Sequence, residues 1–294
     1  MEKVRTAAAL GLFDGVHRGH RAVLELAAKQ TGKGLLPVVF TFDPEYALSK
    51  KSGGGFIYGS EYKNKLLSDL GFRDVYSVSF GDICAMEGVE FAEAVLKQRL
   101  NAEVVCCGED FRFGKGASCG IEELVSFGEK LGFSVIAAGE VSIDGTAVSS
   151  GTIRKCLLEG EISKANEFLG RAYAIEREVV HGAHLGNTIG FPTINQLFEP
   201  GQLVPKYGVY VSRTYVGDTG YPSVTDIGIK PTVDYGGAPL AETHIIGFSG
   251  DLYSRTVRTE LVDFIRPEMR FDSVSALRER ITEDRDIARS LLEE

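Results

Sequence analysis

Between Thr6 and Leu169 the chain alternates short apolar runs with stretches whose apolar positions recur at helical spacing. Thr6–Leu12 is small and apolar, as a buried strand should be. Gly19–Gln30 follows as a helix with Val23, Leu24, Leu26 and Ala27 on one side. Leu35–Phe42, Val75–Phe80, Glu103–Cys107 and Phe133–Ala138 read as further strands. Glu61–Leu70, Val89–Leu100 (with Phe91, Val95 and Leu96 on one face) and Ile121–Leu131 read as helices between them. Alternation of this kind predicts right-handed β-α-β units around a parallel sheet, an α/β fold. Thr152–Leu158 and Ile162–Leu169 predict two short closing helices.

The texture changes after Gly170. From Tyr173 to Phe264 the chain is rich in Val, Ile, Thr and Tyr, broken by Gly and Pro, with no long helical stretch. Tyr207–Tyr215, Thr243–Phe248 and Thr256–Phe264 are the clearest strands, and the pattern predicts a small β-barrel or sandwich. A terminal α-helix is expected from about Ser273, whose side chain can cap it, to Glu293. The expected organisation is α/β followed by β, in two domains of residues 1–170 and 171–294, as a chain of 294 residues suggests.

Two strings carry chemistry. GLFDGVHRGH (Gly11–His20) leaves a strand and enters a helix, the topology that turns backbone amides and a helix dipole toward a phosphate. His17 and His20 can project from one side of the first turn, where two imidazoles can bond triphosphate oxygens and stabilise charge built up in transfer. Gly11, Gly15 and Gly19 allow close backbone approach. Further on, the hydroxyls of SSGTIR (Ser149–Arg154) at a helix start, with Arg154 one turn later, can hold an anion or simply cap the helix. In HGAHLGNTIGFPTIN (His181–Asn195), Gly182, Gly186 and Gly190 make a loop able to close over phosphates, and Pro192 fixes an extended turn. Thr193 and Asn195 alternate on that extended backbone and point the same way. Their oxygens suit Mg²⁺ already carrying nucleotide phosphates. Read by itself, the string fits a Gly-Pro turn with two satisfied polar side chains equally well.

These strings resemble two known families. GLFDGVHRGH is similar to the bacterial FAD synthetases among the Rossmann-like HxGH nucleotidyltransferases, and GEDFRFGKG (Gly108–Gly116) and SSGTIR resemble later motifs of the same family. GFPTIN resembles the riboflavin kinases, a compact β-barrel family, and so do GIKPTV (Gly228–Val233), ETHIIGFSGDLYSRTV (Glu242–Val257) and FIRPEMRFDSVSALRERITED (Phe264–Asp284). The resemblance implies a bifunctional enzyme that phosphorylates riboflavin to FMN and then adenylylates FMN to FAD, using ATP and Mg²⁺ in both steps. In the first half it implies catalytic His17 and His20. ATP and its phosphates would be held there by Gly11, Phe13, Asp14, Gly15, Gly19, Ser149, Ser150, Thr152 and Arg154, and the flavin by Asp110, Phe111, Phe113 and Tyr58. In the second half it implies Glu242 as general base, Thr193 and Asn195 toward the metal with Asn195 also catalytic, and Gly182, Gly186 and Gly190 along the phosphates. His184 reads as a solvated loop residue, and His244, two after Glu242 on the same strand face, as lining the site or packing beside it.

The chain departs from the family patterns in four places. Gly151 stands where a Thr is usual, FDPEYA lacks the customary His, Asn187 replaces an Arg and Ile194 an Ala. The last two are expected to alter loop contacts and leave catalysis in place. The first two motivate a second reading, a riboflavin kinase with a weakened adenylyltransferase half. A third reading is a flavin- or nucleotide-binding regulator without turnover.

Composition narrows the partners. A formal net charge of −9 argues against nucleic acid and anionic membrane, and small molecules are the expected ligands. The five cysteines are odd in number and form no C-x-x-C pair, so buried reduced thiols are expected. The N-terminus has no signal-peptide layout and no apolar run reaches the ~18 residues of a membrane span, so a cytoplasmic protein, monomeric or weakly homo-oligomeric, is expected.

Overall fold

The computed structural model describes residues 4–43, 55–182, 186, 189–229 and 237–292. The chain forms two compact units, Met1–Thr152 and Ile153–Glu294. The FDPEYA loop beyond Asp43, His184, Asn187 and most of GIKPTV lie outside the described residues.

In the first unit the apolar runs become five parallel strands: β1 (Thr6–Leu10), β2 (Leu36–Phe42), β3 (Asp74–Val78), β4 (Ala102–Gly108) and β5 (Ser134–Ala138). Their order is β3-β2-β1-β4-β5, every neighbouring pair parallel. β1 and the inner part of β4 are buried on both faces, which is why their sequences read as continuous apolar runs with no alternation. Apolar clusters cover the two faces, one around Phe40, Phe91 and Leu124, the other around Phe13, Leu24 and Phe72. The helices Arg18–Ala28, Ser60–Asp69 and Ile121–Leu131 fall within two residues of their expected positions. The expected Val89–Leu100 helix is instead a short α-turn, Gly88–Glu90, running into a π-helix, Phe91–Arg99. Phe91, Val95 and Leu96 still face inward, so apolar spacing alone does not separate the two forms. Cys106 and Cys107 are buried in β4, where burial pushes their thiols up to about 12 and about 11. Cys84, by contrast, is exposed and Cys119 half-buried.

The strand order reverses at β1, since β1 leads to β2 on one side and β4 lies on the other. In open parallel sheets the crevice at such a reversal, beyond the carboxyl ends of the strands, is where ligands bind. Gly11–His20 leaves the carboxyl end of β1, and Glu109–Gly116 leaves that of β4.

The second unit begins with the helices Ser150–Glu159, shared across the division, and Ile162–Leu169. Asn166 ties the latter to the sheet that follows: its Nδ2 donates to Leu261 O at 2.9 Å and its Oδ1 accepts from Tyr173 N at 2.7 Å. Six antiparallel strands follow: β8 (Tyr173–Glu178), β9 (Ile194–Leu197), β10 (Gly208–Val216), β11 (Thr219–Ile229), β12 (Pro239–Ile245) and β13 (Thr256–Arg266), numbered after a small hairpin of β6 (Ser142–Ile143) and β7 (Thr146–Ala147). Their order is β8-β13-β10-β11-β12-β9, and a bridge from Val180 to Asn195 brings the two edges together, so the sheet is a nearly closed barrel.

The barrel interior is polar to an unusual degree. Ser212, Thr214, Thr225, Thr243, Thr259 and Gln196 are fully buried, and their side chains satisfy one another. Ser212, Thr225 and Thr243 form a hydroxyl chain with links of 2.7 and 2.8 Å. Thr259 donates to Gln196 Oε1 at 3.0 Å, and Gln196 Nε2 donates to Val257 O at 2.8 Å. Outside the barrel, the helix Val274–Leu292 packs Ala288 on Val209, Val211, Val224 and Ile246. Ser273 Oγ caps it by accepting from Ala276 N at 3.1 Å. The helix is pinned by Arg266, which grips both oxygens of Asp284, the closest contact 2.7 Å. Asp284 is 1% exposed, so removing it strands a guanidinium. Asp284→Ala should destabilise the second unit by about 3–5 kcal/mol, seen as an earlier urea midpoint for the barrel transition.

Candidate active sites

The turn after β1 is backbone-strained. Phe13 and Val16 both take positive φ, 50° and 41°, which a β-branched residue such as Val rarely adopts. Side-chain hydrogen bonds to Ile57, Ser150 and Thr41 help hold it. Asp14 Oδ1 accepts from Ile57 N at 2.8 Å, Ser150 Oγ donates to Asp14 O at 2.8 Å, and Thr41 Oγ1 donates to Leu12 O at 2.9 Å. The strain is thereby held at the position that aims His17 and His20. His17 is the N-cap of the first helix, its Nδ1 accepting from His20 N at 3.3 Å. That bond leaves the ring hydrogen on Nε2, a donor suited to a phosphate oxygen. The two imidazoles stack at 3.6 Å, and Phe13 meets His20 edge-on. A Cβ at Gly19 would sit 3.2 Å from the His17 ring and 3.3 Å from Val148 O, a tight fit against the stack.

Lys63 is a residue the sequence reading passed over. It is 5% exposed, and Nζ donates to Thr41 Oγ1 and Phe42 O at the carboxyl end of β2. Burial pulls its pKa down, while Asp14 and Asp43 partly oppose that. The signal lay in its position four before Leu67, on the buried face of its helix, where an apolar residue belongs.

The hydroxyls of SSGTIR are engaged within the protein. Thr152 Oγ1 donates to Ala147 O at 3.1 Å, Ser149 Oγ lies 2.9 Å from Thr152 Oγ1, and Ser149 Oγ accepts from Thr152 N. With Ser150 bonded to Asp14 O, the hydroxyl hydrogens of Ser149, Ser150 and Thr152 all have protein acceptors. Arg154 is buried one turn on. Of the expected flavin residues, Phe113 belongs to the core and pairs with Cys119 in a small bridge. Phe111 stacks on it at 5.7 Å and is only half-buried, Asp110 is exposed, and Tyr58 is buried against Tyr62.

In the barrel, register assembles the second constellation. Asn195 on β9 lies opposite Glu242 on β12, and Glu242 lies opposite Asp226 on β11. Directly paired residues share a face with Cβ atoms about 5 Å apart, so an amide and two carboxylates form a row on the outer surface of the barrel. Glu242 sits within β12, not at its start. Asp226 was not legible, because nothing local marks it as a neighbour of Glu242. Asn195 is 4% exposed, and its Oδ1 has no hydrogen-bond partner among the described residues. A buried, unpartnered amide oxygen beside carboxylates and the Thr193 hydroxyl is a hard-oxygen donor set, and these residues fit Mg²⁺.

Gly182 lies close against Asn195, and Gly186 against Phe191 and Thr193. A Cβ at Gly182 would lie 2.3 Å from Asn195 Nδ2, and one at Gly186 2.3 Å from Phe191 O and 3.4 Å from Thr193 Oγ1. Gly186 O also accepts from Phe191 N at 2.8 Å, closing the loop, and Gly190 takes a positive φ of 84°. Because the clash at Gly186 is with backbone, Gly186→Ala must shift the turn that carries Thr193. Turnover by the second unit should fall about 10- to 100-fold, checked by initial rates with any activity of the first unit as an internal control.

A parallel sheet with a His-x-Gly-His helix start at its switch point, joined to a riboflavin-kinase-type barrel, defines a two-unit transferase. The FAD synthetase family model matches residues 1–152 and the riboflavin kinase model residues 169–292. The bifunctional riboflavin kinase/FMN adenylyltransferase of Escherichia coli K12 is 34% identical, over 95% of this chain and 90% of the relative. That of Bacillus subtilis is 31% identical, over 98% and 92%. A solved structure from Streptococcus pneumoniae described as a macrolide-efflux protein is 28% identical with a TM-score of 0.86, covering 98% of this chain and 95% of that one. The chain belongs to the bifunctional riboflavin kinase/FMN adenylyltransferase family. Among the described residues no helix is long and apolar enough to cross a membrane.

Proposed function

We propose that this chain phosphorylates riboflavin to FMN in its barrel unit and transfers the adenylyl group of ATP to FMN in its parallel-sheet unit, giving FAD and pyrophosphate. The observation that carries the reading is the row of Asn195, Glu242 and Asp226 against the glycine loop, a base and hard oxygens set where a γ-phosphate can be cradled. In the first reaction Glu242 takes the proton of the terminal ribityl hydroxyl as that oxygen attacks the γ-phosphorus and ADP leaves. Thr193 and Asn195 would hold Mg²⁺, which when bound neutralises charge on the phosphates. In the second reaction an FMN phosphate oxygen attacks the α-phosphorus of ATP, while His17, His20, the amides of the Gly11–Gly19 turn and Arg154 stabilise the charge that develops. Asp110, Phe111 and Tyr58 are proposed to line the flavin side, with Phe113 supporting Phe111 from the core.

The adenylyltransferase part is proposed to extend through the closing helices to residue 170, with the kinase from 171 onward, since SSGTIR opens the first of those helices. Small molecules are its proposed partners and the cytoplasm its compartment, acting as a monomer or weak homo-oligomer. Supporting this, a net charge of −9 offers little to nucleic acid or anionic lipid. The test is a flavin chromatogram of protein incubated with riboflavin, ATP and Mg²⁺. FMN followed by FAD is expected, and neither product would overturn the reading. FMN that accumulates without FAD would favour the weakened-transferase reading, which Gly151 and the committed hydroxyls of Ser149, Ser150 and Thr152 motivate.

A further inference from the structure

The strand that carries Glu242 carries a second polar residue on the same face. His244 lies two positions on, opposite Val224, which packs with the terminal helix. Its Nδ1 is 2.9 Å from Pro192 O, and its ring meets Phe191 edge to face at 5.3 Å. A carbonyl can only accept, so Nδ1 carries the hydrogen and donates it. Burial lowers the His244 pKa, opposed by the bond to Pro192, and Arg285 and Arg289 of the helix lower it further. Both residues it meets, Pro192 and Phe191, belong to the turn that presents Thr193. Phe191 in turn anchors the glycine loop through its N–H to Gly186 O.

We propose that His244 is a positioning residue for riboflavin phosphorylation: its Nδ1–H bond to Pro192 O locks the Phe191–Asn195 turn in register with Glu242 on the same strand. This deepens the reading of the barrel as the kinase site and rests on it. One strand thereby fixes the base and the oxygen ligands relative to each other, so a loosened turn reduces phosphoryl transfer even though His244 meets neither substrate. Second-layer contacts of this kind are worth about 10- to 100-fold in activity or metal affinity.

The substitutions separate the bond from the packing. His244→Asn places an amide N–H where Nδ1 was and gives up the ring, whereas His244→Phe keeps the ring against Phe191 and gives up the donor. Initial rates of FMN formation are measured across a Mg²⁺ titration in the full chain, with adenylyl transfer from supplied FMN alongside. His244→Phe should lose about 10- to 100-fold in kcat and require more Mg²⁺, with His244→Asn within a fewfold of the parent. A His244→Phe protein with the parent's kcat and Mg²⁺ dependence overturns the proposal, and if His244→Asn is then impaired the ring contact is the important one; loss in both variants alike also overturns it, because a donor at that position would then not suffice. Should a variant not fold, ¹⁵N resonances of the unsubstituted protein decide: a hydrogen on Nε2 and none on Nδ1 overturns the proposal. An unsubstituted protein that makes no FMN would instead sink the kinase reading and leave the tautomer assignment standing.

Discussion

Glu242→Gln should lower FMN formation from riboflavin by about 10²- to 10⁴-fold, the range a general base contributes, with adenylyl transfer from supplied FMN unchanged. The substitution keeps the shape and a hydrogen-bonding oxygen but removes the basic one, so β12 and its register with Asn195 and Asp226 are retained. The loss should fall on kcat, because the proton moves only as the ribityl oxygen attacks, and the KM for riboflavin and ATP should change little. Rates of both reactions on one preparation give the measurement. Equal loss of the two activities would mean that the substitution unfolds the chain; no loss of either would remove Glu242 as the base. A non-catalytic binder has no use for a base there, so the same experiment excludes that reading.

At the other site, His20→Ala should lower FAD formation from supplied FMN by about 10²- to 10³-fold, as loss of one preorganised donor to a developing charge does. His17 carries two duties that can be separated. Its Nδ1 caps the first helix, whereas Nε2 carries the ring hydrogen. His17→Asn retains a favoured cap while removing the imidazole, whereas His17→Ala also forfeits about 1 kcal/mol of helix capping. Both should lose adenylyl transfer to a similar extent, and only His17→Ala should lower the unfolding midpoint of the first unit. In each of these variants FMN should accumulate from riboflavin. The stacked imidazoles act on one group, so the double substitution should cost much less than the product of the single ones.

Much of this was legible along the chain. The helices Ile121–Leu131 and Ile162–Leu169 occur at their expected bounds, and Ser273 caps the terminal helix as its position before the amphipathic run suggested. Periodicity reports burial of one face, and that is settled locally once a helix is long enough. β9 and β11 were not individually visible. β9 is only four residues inside a motif, and β11 contains Gly220, Pro222 and Gly228, which locally read as breaks. β11 is nonetheless a strand, because Pro222 still accepts from Ile246 N and the neighbours on both sides supply the rest of the ladder.

The sequence by itself determined the class of each half and proposed the residues that would carry its chemistry, because motif strings need only residue identity and short spacing. The strand-to-helix placement of His17 and His20 and the Thr-x-Asn alternation are local geometry of this kind. Tertiary structure alone decided which of those residues stand together and how they are held. Asn195, Glu242 and Asp226 become a row only through the register of β9, β12 and β11, and a slip of one residue would send Glu242 to the opposite face. Lys63 beneath Asp14, the serine and threonine hydroxyls satisfied inside the protein, and His244 against Pro192 likewise join residues distant in sequence. Such partnerships are set by long-range pairing and burial, which no local window of sequence contains.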